Sequence, residues 1–399
     1  MRLCMLAPDF LPIWGGVGTY AVELVRHLPK NVEIHIVAPS RKKLGSSRVG
    51  TSDYDLEDYF SDNVKVHLVS SAKDTFFYNA AFQCACFRFV PRLVKQARID
   101  LVHSQTAHMP DLLLRLRRLK VPTVVTVHTT ILGQRQGSKE SEMPFRDLAF
   151  SEKATYLGYP ILRLAELAYF STRQKYITVS SWMKGQLHKM FRVRDCDVRV
   201  IHNSVDTDVF TPGNEDQRKV VLVTGRLIAA KGLIYLVEAI PSILRRHPDT
   251  LFTFIGPGDP RPYVTRLQAL QVPASKFLFL GYLRERNEIM EYYRRCAIFV
   301  APTLYENLPI RILEAMACAK PVVATDICAI PEAITSGRDG VLVPPKSSDA
   351  LVKAISNLLE SPERRHEIGQ NARKTAVQRF DWTANAKRTA FFYKEVLPS

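Results

Sequence analysis

The stretch Ala301 to Lys320, APTLYENLPIRILEAMACAK, carries two glutamates, Glu306 and Glu314, eight positions apart. On one continuous helix they would stand about 80° apart around the axis. Pro309 argues against that, because proline suits a first helical position and disfavours helix in the residue before it. The reading therefore places Glu306 on a loop after a buried strand, IFVAPT, and Glu314 early on a helix that starts near Pro309 and runs through Ala315, Met316 and Ala317. A helix start of this kind offers unpaired N–H groups and the positive end of a dipole, which suits a phosphate. A carboxylate on the helix can accept two hydrogen bonds from the cis-diol of a ribose, and one on the loop can hold sugar hydroxyls. Taken without their neighbours, the two glutamates read rather as solvated surface charges.

Outward from this stretch, short apolar runs alternate with helical patterns. RLCMLAP, EIHIVAP, VKVHLVS, DLVHSQ, TVVTVH, ITVSS and VRVIHNSVD form a first series of strands; VVLVTG, LFTFIG, FLFLG, AIFVAP, PVVAT and GVLVPP form a second. Near-continuous apolar strands between helices predict parallel sheets covered on both faces, an α/β fold of two Rossmann-like doubly wound units. The polar break TPGNEDQRK, Thr211 to Lys219, reads as the linker, giving domains at 1–210 and 211–380 with a last helix in 381–399.

The 399 residues, 46% hydrophobic and 24% charged, fit about two globular domains. A formal charge of +16 favours anionic partners such as nucleotides or phospholipid headgroups, or is spread for solubility. Charge alone, without a recognisable binding motif, does not make a nucleic-acid binder. Seven scattered cysteines without metal spacing fit a reducing, cytoplasmic compartment. MRLCMLAPDF reads as a strand, not as a signal peptide, and no run is long enough to span a bilayer.

The string ENLPIRILEAMACAKPVVAT resembles the signature of retaining glycosyltransferases of family 4, whose GT-B fold sets two such units across a cleft and sends a C-terminal helix back to the first. The resemblance implies that Glu306 binds the donor sugar, that Glu314 binds the ribose, and that Leu308, Pro309 and Ile310 line the donor site. Proline stands at 309 where the family's usual form has glycine, so any sugar contact made by that N–H in relatives is missing. TGRLIAAKG matches the family's diphosphate-binding pair at Arg226 and Lys231; a guanidinium and an ammonium there would neutralise a departing nucleoside diphosphate. Alone, such a pair is ordinarily just solvated. Gly256, in Gly256-Pro257-Gly258, would allow close approach of the backbone to the nucleotide. The turn Gly281 to Arg284, with Tyr282 and Leu283, falls where relatives bind the base.

In the first unit, Gly15, Gly16 and Gly18 lie between the first strand and first helix. The signal is a weak match to the dinucleotide fingerprint. The loop before Gly16 is too long for a dehydrogenase, and the second strand ends in Ser40 rather than an acid, although Arg41, Lys42 and Lys43 leave a 2′-phosphate reading open. The resemblance makes it the glycine loop that approaches the donor diphosphate; otherwise it is a plain strand–helix turn. His128 ends a strand where ligand sites collect and matches the family's sugar-binding histidine, though a lone histidine is often structural. Ser180 and Ser181 read either as acceptor-side residues or as a helix N-cap. Asn203 to Asp206 resembles the family's hinge. Asp206-Thr207-Asp208 has the spacing of a metal motif but is read as a turn, so no metal and no other cofactor is expected beyond the nucleoside diphosphate sugar as co-substrate.

No Ser-His-Asp order, Cys–His pairing or P-loop stands out, which leaves positioning and leaving-group stabilisation as the means of catalysis. The resemblance implies transfer of a hexose from a UDP- or GDP-sugar to a lipid, lipid-linked glycan or other sugar acceptor, with retention. Phe76 to Arg98 and Leu112 to Lys120 mix aromatics or leucines with basic residues. They read either as peripheral attachment to an anionic membrane, at its inner face, or as core helices with basic outer faces. A non-catalytic nucleotide-sugar-binding protein on the same fold is the alternative.

Overall fold

The computed structural model describes residues 1–11, 15–40, 59–71, 75–106, 109–215, 219–283 and 285–398. Arg41 to Lys43, residues 216–218 of the expected linker, and Arg284 lie outside the described residues. The chain forms two compact units: residues 1–130, 164–203 and 382–399, and residues 131–163 and 204–381.

The first unit holds a parallel sheet of seven strands, β1 (Arg2–Leu6), β2 (Glu33–Ser40), β3 (Val64–Ser71), β4 (Leu101–Gln105), β5 (Thr123–Val127), β6 (Lys175–Thr178) and β7 (Val198–Val200), in the order β3-β2-β1-β4-β5-β6-β7. The second holds six parallel strands, β8 (Val220–Thr224), β9 (Leu251–Ile255), β10 (Phe277–Gly281), β11 (Ile298–Ala301), β12 (Val322–Thr325) and β13 (Val341–Val343), in the order β10-β9-β8-β11-β12-β13. Every apolar run read as a strand is one. The central strands β4, β8, β11 and β12 are buried along their whole length, as two-sided cover by helices requires.

The helices bury stripes at helical spacing. Leu233–Arg246 buries Leu233, Leu236, Val237, Ile240 and Ile243 in the second unit's core. Helix Thr75–Gln96 buries Phe82, Cys86, Val90 and Leu93 against Cys4, Leu6, Val37 and Val102. Its apolar face is therefore spent on the core, and Arg88, Arg92 and Lys95 point outward. Beside it Leu114 is buried while Leu116, Arg117 and Arg118 are exposed.

The division of the chain differs from the contiguous one expected at 210/211. It falls between Asn203 and Ser204, inside the stretch read as a hinge, and Ile131–Arg163 joins the second unit although it connects β5 to β6. The segment's partners explain this: the Tyr263 hydroxyl lies 3.9 Å from Met143 Sδ, and Lys346 Nζ pairs with Glu140 at 2.6 Å and Glu142 at 3.1 Å. The final helix, Trp382–Val396, belongs to the first unit. Trp382 meets Tyr20 edge-on at 5.5 Å, and His103 is hydrogen-bonded through Nδ1 to the Tyr393 hydroxyl at 2.6 Å and through Nε2 to Thr126 Oγ1 at 2.7 Å. Among the described residues no helix is long and apolar enough to cross a membrane.

Candidate active site

In the second sheet the strand order reverses between β8 and β11, and loops leaving adjacent strands in opposite directions at such a point open a crevice at their C-terminal ends. Gly225 to Gly232 leaves β8 there, and Pro302 to Pro309 leaves β11. Gly232 adopts φ +63°, and a Cβ on it would lie 2.0 Å from the Pro302 carbonyl oxygen, so the two loops touch backbone to backbone where only glycine fits. Gly256, at the end of β9, has φ +147°; its Cβ would lie 2.0 Å from the Gly225 oxygen. Its N–H donates to the Gly281 carbonyl at 2.7 Å, which brings the half-buried Tyr282 and Leu283 to the same edge.

Lys231 Nζ donates to Glu306 Oε2, and Arg311 Nη2 stands 3.6 Å from that same oxygen. The three side chains are 15%, 20% and 10% exposed. Arg311 is anchored by Nη1 donating to the Thr224 carbonyl at 2.6 Å, while its Nε and Nη2 make no hydrogen bond. Burial, with Arg311 and Arg226 nearby, pulls the Lys231 ammonium down to about 8 against the attraction of Glu306. Burial works to raise Glu306, but the charges of Lys231, Arg311 and Arg226 outweigh it and keep the carboxylate ionised below its usual range. Arg226 itself is exposed.

Pro309 is the N-cap of helix Ile310–Ala317, in extended conformation at φ −75° and ψ 122°, so Glu306 sits on the loop and Glu314 on the helix. Leu308, Pro309 and Ile310 are buried. Tyr293 donates to Glu314 Oε2 at 2.8 Å and accepts from Thr224 Oγ1 at 2.7 Å. Burial, reinforced by the Glu314 charge, holds that phenol well above its ordinary value, so it remains a donor. Thr224, the last residue of β8, thus ties both Arg311 and Glu314 to the strand end that carries Arg226.

One ammonium and two guanidiniums acting on one carboxylate, at a switch point and beside a helix N-terminus, suit a polyanion that also bears hydroxyls. The chain matches the family model for Glycosyl transferases group 1 over residues 204–375 and that for Glycosyltransferase Family 4 over residues 14–209. It belongs to glycosyltransferase family 4. This transferase is 28% identical to the alpha-maltose-1-phosphate synthase of Mycolicibacterium smegmatis, over 99% of this chain and 100% of that one. It is 26% identical to an uncharacterized glycosyltransferase of Methanocaldococcus jannaschii, over 99% and 98%. Among solved structures, sucrose-phosphate synthase from Thermosynechococcus elongatus superposes with a TM-score of 0.81 at 19% identity, covering 99% of this chain and 98% of that one. Anabaena HepE in complex with UDP-glucose gives 0.70 at 19%, over 99% and 100%. The fold is GT-B.

The transferase's first unit carries the other expected residues. Gly15 is the N-cap of helix Gly16–His27, accepting from Thr19 N at 2.8 Å, and Gly16 is exposed with open space around its Cα. His128 follows β5, buried at 9% exposure; Nε2 donates to Gln105 Oε1 at 2.6 Å, and Tyr20 meets the ring edge-on at 4.7 Å. Burial pulls His128 down to about 3, with Asp9 opposing, so the ring is neutral at physiological pH. Ser180 is an N-cap, accepting from Met183 N at 3.0 Å. Asp206 Oδ1 accepts from the N–H groups of Asp208 and Val209, both at 3.1 Å, which is a turn.

Sequence reasoning did not single out Arg311, Tyr293, Thr224 or Glu152. Arg311 stood inside the quoted motif, three residues before Glu314 on the same face of the helix. Tyr293 and Thr224 act from elements that only the sheet brings to Glu314.

Proposed function

We propose that the transferase moves a hexose from a UDP- or GDP-sugar to a lipid, lipid-linked glycan or other sugar acceptor with retention at the anomeric carbon. The observation that carries this reading is the Lys231–Glu306–Arg311 cluster at the switch point of the second sheet. Lys231 and Arg226 take the diphosphate and stabilise it as it leaves; Glu306 holds sugar hydroxyls; Glu314, fixed by Tyr293, holds the ribose. Gly256, Tyr282, Leu283, Leu308, Pro309 and Ile310 line the rest of the donor site. In the first unit, the Gly15–Gly16 loop is assigned to the diphosphate and His128, as a neutral imidazole, to the transferred sugar.

With three cationic side chains supplying the charge, the reaction is assigned no divalent metal. Binding of UDP-glucose in the Anabaena structure supports the donor class. The exposed basic face of Arg88, Arg92 and Lys95, with Leu116, supports peripheral association of a cytoplasmic enzyme with an anionic membrane.

The test is a thermal-shift screen over nucleoside diphosphates and their sugars, followed by donor hydrolysis without acceptor and determination of the released anomer's configuration. Glu306→Ala and Lys231→Ala are expected to lower turnover by orders of magnitude while remaining folded. Near-normal turnover in either, inversion of configuration, or full loss in EDTA restored by Mn²⁺ overturns the corresponding part.

A further inference from the structure

The segment Ile131–Arg163 touches the chain neighbours of both halves of the central ion pair. Its helix Ile131–Glu140 presents Gly133 and Gly137 to Tyr305, the neighbour of Glu306: a Cβ on Gly133 would lie 2.0 Å from the Tyr305 ring, and one on Gly137 would lie 2.6 Å from Tyr305 Cβ. Its helix Phe150–Leu157 presents Glu152, buried at 6% exposure, to the turn Ala229–Lys231. Glu152 Oε2 accepts from Ala229 N at 3.1 Å and Ala149 N at 3.1 Å; Oε1 accepts from Ala230 N at 3.2 Å and Ser138 Oγ at 2.7 Å.

One of these four bonds, that from Ala149, belongs to the helix's own start, where glutamate and glutamine serve alike. The other three do nothing for that helix. Two of them fix the backbone immediately before Lys231, and the third steadies the carboxylate that does so. We propose that Glu152 is the positioning residue for the Lys231 loop, holding Ala229 and Ala230 so that the ammonium meets Glu306. The proposal rests on the reading of Lys231 as a diphosphate ligand.

Glu152→Gln weakens the hold on the loop while keeping the cap. The amide oxygen, standing for Oε2, keeps the bonds from Ala149 and Ala229, but the NH₂ group replaces Oε1 and faces the Ala230 N–H, which it cannot bind. Loosening the loop lets water reach Lys231, which Glu306, Arg311 and Arg226 face, and relieves the burial that lowers it. The experiment measures donor hydrolysis from pH 6 to 10 with whichever of UDP-glucose and GDP-mannose gives the larger thermal shift. Glu152→Gln is expected to raise donor KM about tenfold, the loss of a hydrogen bond to a charged group. It is also expected to move the alkaline limb of kcat/KM upward from its position near pH 8.

Ser138→Ala, which leaves the carboxylate and both loop contacts, should move both quantities the same way by less, and it decides the matter if Glu152→Gln does not fold. Lys231→Ala run alongside keeps the two readings apart. Turnover retained in Lys231→Ala ends the donor assignment. An inactive Lys231→Ala beside a folded Glu152→Gln with wild-type donor KM and limb, or a Ser138→Ala indistinguishable from wild type when the glutamine variant is unfolded, ends the positioning role.

Discussion

Replacing Arg311 by methionine tests the electrostatics of the proposed donor site directly. Arg311 Nη2 lies 3.6 Å from Glu306 Oε2, and Lys231 Nζ lies closer to that oxygen, so the two cations are no more than about 7 Å apart. At that separation their repulsion is about 0.6 kcal/mol in a water-like dielectric and about 2.4 kcal/mol at an effective dielectric near 20. Each 1.36 kcal/mol is one pH unit, so removing Arg311 should raise Lys231 from about 8 by roughly half a unit to nearly two. The sign follows from which form works. A phosphate needs the protonated ammonium, so donor kcat/KM falls as pH rises through the pKa of Lys231 in the free enzyme. Arg311→Met therefore moves the alkaline limb up, while at pH 7 it weakens donor binding because one cation is gone. The two pH profiles should converge toward pH 9. The assay is initial-rate donor hydrolysis from pH 6 to 10, with circular dichroism to confirm folding and Lys231→Arg as the control that abolishes the limb. A limb that stays near pH 8 in Arg311→Met, or persists in Lys231→Arg, refutes the reasoning.

Tyr293→Phe removes the donor that fixes Glu314 and leaves Thr224 Oγ1 without its acceptor; a cost of about 1–3 kcal/mol in stability and a raised donor KM are expected, read by denaturant unfolding and donor kinetics. Gly256→Ala meets the Gly225 carbonyl oxygen and must hold positive φ, so a loss of about 1–3 kcal/mol, several degrees in a melting curve, should accompany weaker nucleotide binding; an unchanged melting temperature would count against this backbone geometry. His103 and His128 are both held near 3 by burial, against 6.5 in the unfolded chain. The unfolded chain alone takes up their protons between those values, so stability is full above pH 6.5 and falls below it, by about 2 kcal/mol per histidine at pH 5. Urea titrations at pH 7 and 5 measure this, and flat stability across that interval would contradict neutral buried rings.

How much of this was legible in the sequence follows from the range of the interactions. The thirteen strands of the described residues were readable because each is a local apolar run between helical patterns. The layout of Glu306 on a loop and Glu314 on a helix was readable because Pro309 constrains its own φ and the preceding residue, and both effects are local. The membership of Ile131–Arg163 was not readable. Its chain connectivity places it between β5 and β6, while its docking depends on Glu152 reaching residues 77 and 78 positions away and on two glycines receiving Tyr305. The amphipathic reading of Phe76 to Arg98 was open for the same reason. Periodicity shows that a stripe is apolar, and only the packing of Cys86 and Val90 on β1 and β4 shows what covers it.

Arg311 shows why the site tolerates a cation its sequence context disfavours. It is nine-tenths buried on an otherwise largely apolar helix and leaves Nε and Nη2 without hydrogen bonds, a combination that costs stability unless charge elsewhere compensates. Glu306 compensates only in part, because its carboxylate is shared with Lys231. Lys231, Arg311 and Arg226 act on Glu306, while Glu314 is held by Tyr293, so on the proposed reading the three cations lack negative charge until a diphosphate binds. On that reading the imbalance favours a dianionic ligand, most strongly the leaving nucleotide, whose charge exceeds that of the sugar-linked form. The fold confines this imbalance to one point: Thr224 binds Arg311 through its carbonyl and, through Tyr293, holds Glu314, so the strand end that presents Arg226 also fixes these two charges.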